Sequence, residues 1–324
     1  MPLQDKDFKN IKSEFEKFKK ILIISHRNPD ADTIGASFAL NQILSENFNK
    51  KVTSACADKL PPNLNFLKGN IEILQKIDLK NYDVIVSVDC SSKEQMKYPE
   101  TTKSFKDYKI PIINIDHHIS NSAYGTINLI DPESASTTEI LFRYFEYLKI
   151  PVKPYVATNL LAGIYCDTGS FMHSNTNSNN YIIAQKLLSA GASHSNIIKY
   201  MFKTKTVEQL QLWGKVFSNS RINKQKAIVS KVTEDDFIKT GTNPRDLAGI
   251  VNYLNSVDEC KMSILLSEDM KGNVKGSVRS GNGNIDVAEL CKQLGGGGHK
   301  KAAGFKLPGK IISKEVWSIE SDIE

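Results

Sequence analysis

Ile21-Leu-Ile-Ile-Ser-His-Arg-Asn-Pro-Asp-Ala-Asp-Thr-Ile-Gly-Ala-Ser37 is the stretch that decides the fold. Its apolar start predicts a buried strand, and the periodic apolar residues that follow it predict a helix. Between them lie His26, Asp30 and Asp32, at the carboxyl end of the strand, where ligands bind in an open α/β sheet. An imidazole and two carboxylates on one turn suit a divalent ion, manganese or magnesium better than zinc. The alternative is an Asp-rich turn that only caps the helix.

Two later apolar runs also end in acidic or imidazole side chains. Val84-Ile-Val-Ser-Val88 is followed by Asp89, and Pro111-Ile-Ile-Asn-Ile115 is followed by Asp116-His117-His118. Three strands that deliver such groups from the same end are the pattern expected of a parallel sheet with βα crossovers. A predicted helix then leads into Cys166-Asp167-Thr168-Gly169, where the glycine is a natural helix stop.

The acidic and imidazole residues of these turns form one candidate constellation: His26, Asp30, Asp32, Asp89, His117 and Asp167, with Asp116 and His118 beside them. A lone charge at such positions is expensive to bury unless it is paired or bound to a metal. Carboxylates that converge without a cation also raise each other's pKa. Two divalent ions resolve both problems, and a water that bridges them becomes a strong nucleophile near neutral pH. The set therefore predicts a two-metal site.

Length and composition limit the classes of protein to which the chain can belong. The chain of 324 residues is long enough for two domains, and 40% apolar and 24% charged residues describe an ordinary globular protein. No apolar run is long enough to span a membrane, and the charged N-terminus lacks a signal peptide's apolar core, so we expect a cytoplasmic protein without a membrane partner. Five cysteines without a CxxC pair predict reduced thiols. The net charge of +6 comes mainly from scattered lysines and does not identify a nucleic-acid binder.

A second unit is predicted to begin near Arg221. It has predicted strands at Ala227 to Val232, Lys261 to Leu266, Asn273 to Arg279 and near Ala303 to Leu307, and helices at Pro244 to Leu254 and Val287 to Leu294. The whole pattern predicts an α/β protein with three parts. Residues 1–190 form a doubly wound, mainly parallel sheet, residues 191–220 form a helical linker, and residues 221–324 form a smaller α/β domain with a mixed sheet.

Four consecutive glycines, Gly295 to Gly298, precede His299. Such a run costs backbone entropy and is kept where the backbone approaches something closely or adopts positive φ. Successive exposed amides form an anion-binding nest, and Arg279 leaves a neighbouring strand with a side chain that can bind a phosphate bidentately. The alternative is a flexible hairpin loop.

In chain order, His26-Arg-Asn-Pro-Asp30-Ala-Asp32, Val88-Asp89, Asp116-His117-His118 and Tyr165-Cys-Asp167-Thr-Gly169 resemble the four motifs of the DHH phosphoesterases. The glycine run, with Ser277-Val-Arg279-Ser280 before it, resembles the associated C-terminal domain, so the resemblance covers nearly the whole chain. It implies two manganese ions, with magnesium as the alternative. By this resemblance one ion is held by His26, Asp30 and Asp89, and the other by Asp32, Asp89, His117 and Asp167.

The resemblance also implies roles for the remaining motif residues. His118 would face the scissile phosphate, and Asp116 would orient the neighbouring imidazoles. The nucleotide end of the substrate would be bound in the second domain by Arg279, Ser280, Gly296, Gly297 and His299. One departure stands out, because many members carry a basic residue after the fourth motif, where this chain has Met172 and His173. If that residue positions a phosphate, His173 or a lysine must substitute, or the substrate preference differs.

The type that the chain most resembles is the stand-alone oligoribonuclease and pAp phosphatase. The resemblance implies a manganese-dependent phosphoesterase that hydrolyses very short RNA oligonucleotides (nanoRNA) to 5′-mononucleotides and removes the 3′-phosphate of pAp. A cyclic or linear dinucleotide phosphodiesterase acting on c-di-AMP or pApA shares every catalytic residue and stays open, as does a non-catalytic nucleotide-sensing module. An inorganic pyrophosphatase is disfavoured, because the glycine-rich nucleotide end would have no purpose there. The resemblance is also compatible with a homodimer.

Overall fold

The computed structural model describes residues 3–98, 110–281 and 285–313. Contacts divide the chain into two units, Met1–Thr204 and Lys205–Glu324, which are described separately below. The finer bounds expected from the sequence, at 190 and 220, stay a prediction. In the described ranges, no helix combines the length and the apolar character needed to cross a membrane.

The first unit is built on a six-stranded sheet. Its strands lie in the order β3-β2-β1-β4-β5-β6, and every pairing is parallel. They are β1 (Lys20–Ser25), β2 (Lys51–Ala55), β3 (Ile73–Leu74), β4 (Val84–Val88), β5 (Ile112–Asp116) and β6 (Ile127–Ile130). The strand order reverses between β1 and β4, and a ligand crevice is expected beyond the carboxyl ends of the strands at such a point. The α/β class and the parallel sheet are confirmed.

The helices of this unit follow the apolar periodicity of the sequence. They are α1 (Asp5–Lys17), α2 (Ala31–Asn47), α3 (Thr137–Tyr147), α4 (Pro154–Asp167), α5 (Ser178–Ser189) and α6 (His194–Ile197), which continues into a π-helix over Ile198–Phe202. Short 3₁₀ turns occupy Pro62–Leu67, Leu79–Asn81 and Lys93–Met96. Because strand side chains alternate between faces, Ile21 and Ile23 join the large core with α2, α3 and α4. Leu22 and Ile24 join a smaller cluster with Leu79 and Met96 on the other face.

Helices α2 and α4 approach each other closely because both carry a glycine at the contact. A Cβ on Gly35 would collide with the Asn159 carbonyl, and one on Gly163 would lie 2.5 Å from Oδ1 of Asp32. This approach brings the first turn of α2 beside the last turn of α4. It therefore places the aspartates of the first motif near Asp167.

The second unit contains a mixed sheet, as predicted. Its strands lie in the order β11-β12-β10-β9-β8-β7, with β8 parallel to β9 and the other pairs antiparallel. They are β7 (Arg221–Ile222), β8 (Ala227–Val232), β9 (Met262–Glu268), β10 (Asn273–Ser280), β11 (Gly297–His299) and β12 (Ala302–Pro308). The helices are α7 (Val207–Ser218), α8 (Glu234–Thr240), α9 (Ile250–Leu254) and α10 (Val287–Lys292).

Three features of this unit differ from the expectations. The single helix expected over Pro244 to Leu254 is wrong: a 3₁₀ turn at Pro244–Leu247 and the short α9 are separated at Gly249, whose φ is +89°. Helix α8 was missed, although Thr233 and Asp236 form a capping box that announces it. The glycine run is in part an edge strand, because Gly297–His299 pairs antiparallel with β12.

Candidate metal centre

Asp89 lies at the centre of the predicted constellation. Its Oδ2 lies 3.4 Å from Nε2 of His26, and its Oδ1 lies 3.6 Å from both Nε2 of His117 and Nδ1 of His118. The side chain is buried directly after β4, and its backbone has a φ of +57°. Non-glycine residues rarely adopt this left-handed conformation, and strain of this kind collects at functional sites.

The six predicted ligands form two groups of three side chains, and Asp89 belongs to the first. Ligand atoms of His26, Asp30 and Asp89 lie within 4.8 Å of one another, and so do those of Asp32, His117 and Asp167. The closest pair, Nε2 of His117 and Oδ2 of Asp167, is 3.1 Å apart. The structure thus brings all six sequence-predicted ligands together. Asp30 also caps α2 by accepting from the backbone of Asp32 and Thr33, so the capping interpretation of the turn holds alongside the site.

The donors present fit divalent cations. Nε2 of His117 is buried, and the polar atoms nearest to it are carboxylate oxygens, Oδ2 of Asp167 at 3.1 Å and Oδ1 of Asp89 at 3.6 Å. Burial, with the charges of Asp167 and Asp89, raises the pKa of Asp32 well above its usual range, and burial raises the pKa of Asp89 to about 6. A buried imidazole among carboxylates that resist ionisation is a set that a bound cation would stabilise in its deprotonated form.

The same carboxylates also raise the pKa values of the imidazoles, and so favour the charged form of each ring. Burial lowers the pKa of His26, but its hydrogen bonds to Asp30 and Asp89 and their charges outweigh this and raise it to about 11. The same balance raises the pKa of His117 to about 10. A bound cation would take the place of these protons, since metal ligands must be deprotonated. Cys166 lies within ligand distance of Asp30 and Asp167, but burial raises the pKa of its thiol and keeps it protonated.

The N-terminus of α3 holds Asp32 in place. Oδ2 of Asp32 accepts from the backbone of Thr137 at 2.7 Å, and Oδ1 accepts from the backbone and hydroxyl of Thr138 at 3.0 and 2.6 Å. The Thr137 hydroxyl donates to Oδ1 of Asp89 at 3.1 Å. Thr137 therefore connects carboxylates from the two groups, and the helix dipole favours negative charge there. The sequence predicts Ser134-Ala-Ser-Thr-Thr138 only as the N-cap region of a helix, so the roles of these two threonines were missed.

We expect Thr137→Val to weaken manganese binding about tenfold, which corresponds to the loss of one hydrogen bond to a charged group. Valine has the shape of threonine and keeps the backbone donor to Asp32, so the change is confined to Asp89. Calorimetric titration of the metal-free protein with manganese measures it. Thr176→Val is the matched control, because the Thr176 hydroxyl is buried with no hydrogen-bond partner in the described residues. Equal affinities for the two variants would contradict the role of Thr137.

Asp116 orients the second imidazole of the motif. Its Oδ1 accepts from Nδ1 of His118 at 2.8 Å, and its Oδ2 accepts from Nδ2 of Asn121 at 2.5 Å. The hydrogen bond to Asp116 is the main cause that raises the pKa of His118. With Nδ1 engaged, Nε2 of the half-exposed His118 is free to face a ligand. His118 borders a cavity of about 230 Å³ together with His26, Asp30, Asp89 and Asp167.

The substrate residues predicted in the second unit are not all on one face. Arg279 borders a cavity of about 550 Å³, where its Nε donates to Asn252 and its Nη1 donates to the Val278 carbonyl. Ser280 follows it on β10 and lies on the opposite face of the sheet. Gly296 and Gly297 belong to the glycine run at the sheet edge, and the side chain of His299 lies outside the described residues.

Comparisons with known proteins give a consistent picture. The model of the DHH family, N-terminal domain, matches residues 20–164, and that of the DHHA1 domain matches residues 224–317. The chain is 28% identical over 291 residues to the bifunctional oligoribonuclease and PAP phosphatase NrnA of Thermus thermophilus, covering 89% of this chain and 84% of that protein. It is 25% identical over 305 residues to the protein of the same name from Bacillus subtilis, covering 90% of each. An exopolyphosphatase-related protein from Bacteroides fragilis superposes with a TM-score of 0.82 at 26% identity, covering 96% of this chain and 93% of that one.

Proposed function

This chain belongs to the DHH family of phosphoesterases, with a DHHA1 domain after its DHH domain, and from this premise we propose that it hydrolyses very short RNA oligonucleotides to 5′-mononucleotides and removes the 3′-phosphate of pAp. Relatives named bifunctional oligoribonuclease and PAP phosphatase match most of its length, which supports this substrate range. The observation that carries the proposal is the position of Asp89, within 3.6 Å of three imidazoles that come from two separate motifs.

In this proposal the centre holds two divalent ions, manganese in preference to magnesium. His26, Asp30 and Asp89 would hold one, and Asp32, Asp89, His117 and Asp167 the other. When bound, such ions supply an activated water and stabilise the charge that develops on the phosphoryl group. Thr137 and Thr138 keep the carboxylates aimed at the same point.

His118 is the group of this chain that would act directly on the substrate. Its Nδ1 is held by Asp116 at 2.8 Å, so the ring is fixed with Nε2 available. From there it would donate a hydrogen bond to a non-bridging oxygen of the phosphate, where negative charge grows in the transition state. Asn121 holds the other oxygen of Asp116 and so fixes the orientation of the pair.

The proposal is tested with a panel of pApA, pAp and c-di-AMP, each incubated with the protein and manganese and scored by product identity. We expect AMP from pApA, and AMP with inorganic phosphate from pAp. Protein treated with EDTA is the control. Turnover of c-di-AMP in preference to the linear substrates would favour the cyclic dinucleotide phosphodiesterase. Binding of all three without any turnover would favour a nucleotide-sensing module, and either result would contradict the proposal.

Arg279 is the strongest candidate for substrate binding in the second unit. Lys275 and Ser277 precede it on the same face of β10 and border the same cavity. Two of its N–H groups are held by neighbours, so the guanidinium is oriented before a ligand arrives. A cavity with an oriented arginine and a lysine on one wall suits a phosphate-bearing ligand.

We expect Arg279→Ala to raise the KM for pApA about 10- to 100-fold, the range for a charged hydrogen bond to a phosphate, while kcat changes much less. Steady-state kinetics with manganese measure both constants. Lys224→Ala removes a charge from the β7–β8 turn, at the opposite edge of the sheet from β12, and should leave both constants unchanged. A KM for Arg279→Ala close to that of the wild type would contradict the role of the arginine.

A further inference from the structure

We propose that Arg27 binds a second phosphate of the substrate beside the metal centre, and that it makes the enzyme prefer short substrates with a terminal phosphate. This inference rests on the proposed function. The cavity beside the centre is bordered by carboxylates and imidazoles of the motifs and, in addition, by Arg27, Asn28 and Gln95. Among the described residues, Arg27 is the only lysine or arginine that borders it.

The charge of the centre requires such a group. Asp30, Asp32, Asp89 and Asp167 carry four negative charges when ionised, which two divalent ions would balance without excess. A phosphodiester brings one further negative charge, and a terminal phosphate brings nearly two. A short substrate with both therefore needs a cation supplied by the protein. Arginine suits this task because its planar fork binds phosphate bidentately and never loses its charge.

The backbone that carries Arg27 is fixed by its neighbours. Its own N–H donates to the Gln95 carbonyl at 2.8 Å, and the N–H of Asn28 donates to Oδ2 of Asp58 at 3.0 Å. The thiol of Cys56 donates to the carbonyl of His26 at 3.4 Å. The segment is therefore anchored on both sides of Arg27, which limits the entropy lost when its side chain binds a ligand.

The Arg27 side chain is available for a ligand. It is exposed and makes no hydrogen bond or ion pair with the described residues. The nearest acidic group that its charge influences is Asp58, whose oxygens are already bound by the Asn28 backbone and by Nζ of Lys97 at 3.2 Å. Within the described ranges, Arg27 therefore has no structural partner that would explain its presence at the cavity.

The sequence left three alternatives where many relatives have a basic residue after the fourth motif: His173 substitutes, a lysine substitutes, or the substrate preference differs. The structure places His173 elsewhere, since its Nδ1 lies 3.1 Å from the Asp167 carbonyl and its ring packs beneath Gly169. Neither His173 nor the exposed Met172 borders the cavity. A positive charge at the site thus comes from the first motif, on the segment between His26 and Asp30.

The test compares Arg27→Ala and Arg27→Lys with the wild type on pApA and on ApA, which lacks the terminal phosphate. For Arg27→Ala we expect the KM for pApA to rise about 10- to 30-fold with kcat within about threefold, and the constants for ApA to stay within about threefold. Arg27→Lys should fall between, because it keeps the charge and loses the fork. Lys59→Ala is the control, because Lys59 follows Asp58 in the chain and lies outside the cavity, and it should change neither constant.

Two further measurements distinguish a failure of the proposed function from a failure of the role of Arg27. The rise in melting temperature with manganese should be the same for Arg27→Ala and the wild type, because Arg27 is not a ligand. Calorimetric binding of pAp with calcium in place of manganese does not depend on turnover. A wild type that binds pAp but does not cleave it with manganese contradicts the proposed function alone. Equal affinity of the wild type and Arg27→Ala for pAp, or an equal loss on ApA and pApA, overturns this inference.

Discussion

Asp89→Asn is expected to reduce hydrolysis of pApA by at least about a thousandfold, since it removes the carboxylate that is proposed to hold both ions and that lies within 3.6 Å of His26, His117 and His118. An amide is a neutral and weaker ligand, so both proposed ions would lose their common anchor. The fold should survive, because the asparagine oxygen can still accept the hydroxyl of Thr137. The measurement is kcat over a manganese titration, with calorimetry to follow binding.

Asp131→Asn is the matched control for this variant. Asp131 is also fully buried, but it forms an ion pair with Nη1 of Arg143 at 2.6 Å and accepts from Ser134. Disrupting that pair should lower the free energy of unfolding by about 3 kcal/mol without changing the response to manganese. The two variants thus separate a ligand from a structural carboxylate. If Asp89→Asn keeps a kcat within about tenfold of the wild type, the shared-ligand assignment is wrong.

Much of the first unit could be predicted because its signals are local. Val84 to Val88 is a run of four apolar residues and Ser87 bounded by aspartates, the pattern of a strand buried on both faces, and its predicted bounds match β4. In a parallel sheet the strands end at one edge, so residues that directly follow β1, β4 and β5 had to lie near one another. The prediction that these motifs meet needed only strand direction, and the structure brings them together.

The donors around the centre could not be predicted in the same way. Thr137 and Asp32 are 105 positions apart, and their contact depends on how α3 packs against α2. Nothing in the local pattern distinguishes such a threonine from an ordinary helix cap. The edge strand within the glycine run was missed for a different reason. Strand Gly297–His299 starts with residues that have no side chains, so its sequence shows no alternation of apolar and polar residues. The threonine contacts are long-range, whereas Gly297–His299 pairs locally with Ala302–Gly304 but has too few side chains to show a strand pattern.

Gly163→Ala is expected to damage both the fold and the site, although the same change in most helices is favourable. A Cβ at Gly163 would lie 2.5 Å from Oδ1 of Asp32 and would collide with Thr138, two groups fixed by hydrogen bonds to each other. Relief requires α2 or α3 to shift, and overpacking of this kind costs about 1–3 kcal/mol. A displacement of Asp32 near 1 Å would by itself lower kcat about a hundredfold.

For Gly214→Ala, the same substitution at another helical glycine, we expect the opposite effect on stability. Gly214 lies inside α7, and a Cβ there would meet nothing within 4 Å, so alanine should stabilise the chain by up to about 1 kcal/mol through helix propensity. Urea unfolding of both variants, with manganese-dependent hydrolysis of pApA alongside, measures the contrast. Because Gly163 is not among the proposed ligand or substrate-binding residues, we expect a loss of activity there to act through the displacement of Asp32 and Thr138. Gly163→Ala with wild-type stability and turnover would show that the approach of α4 to α2 does not position this carboxylate.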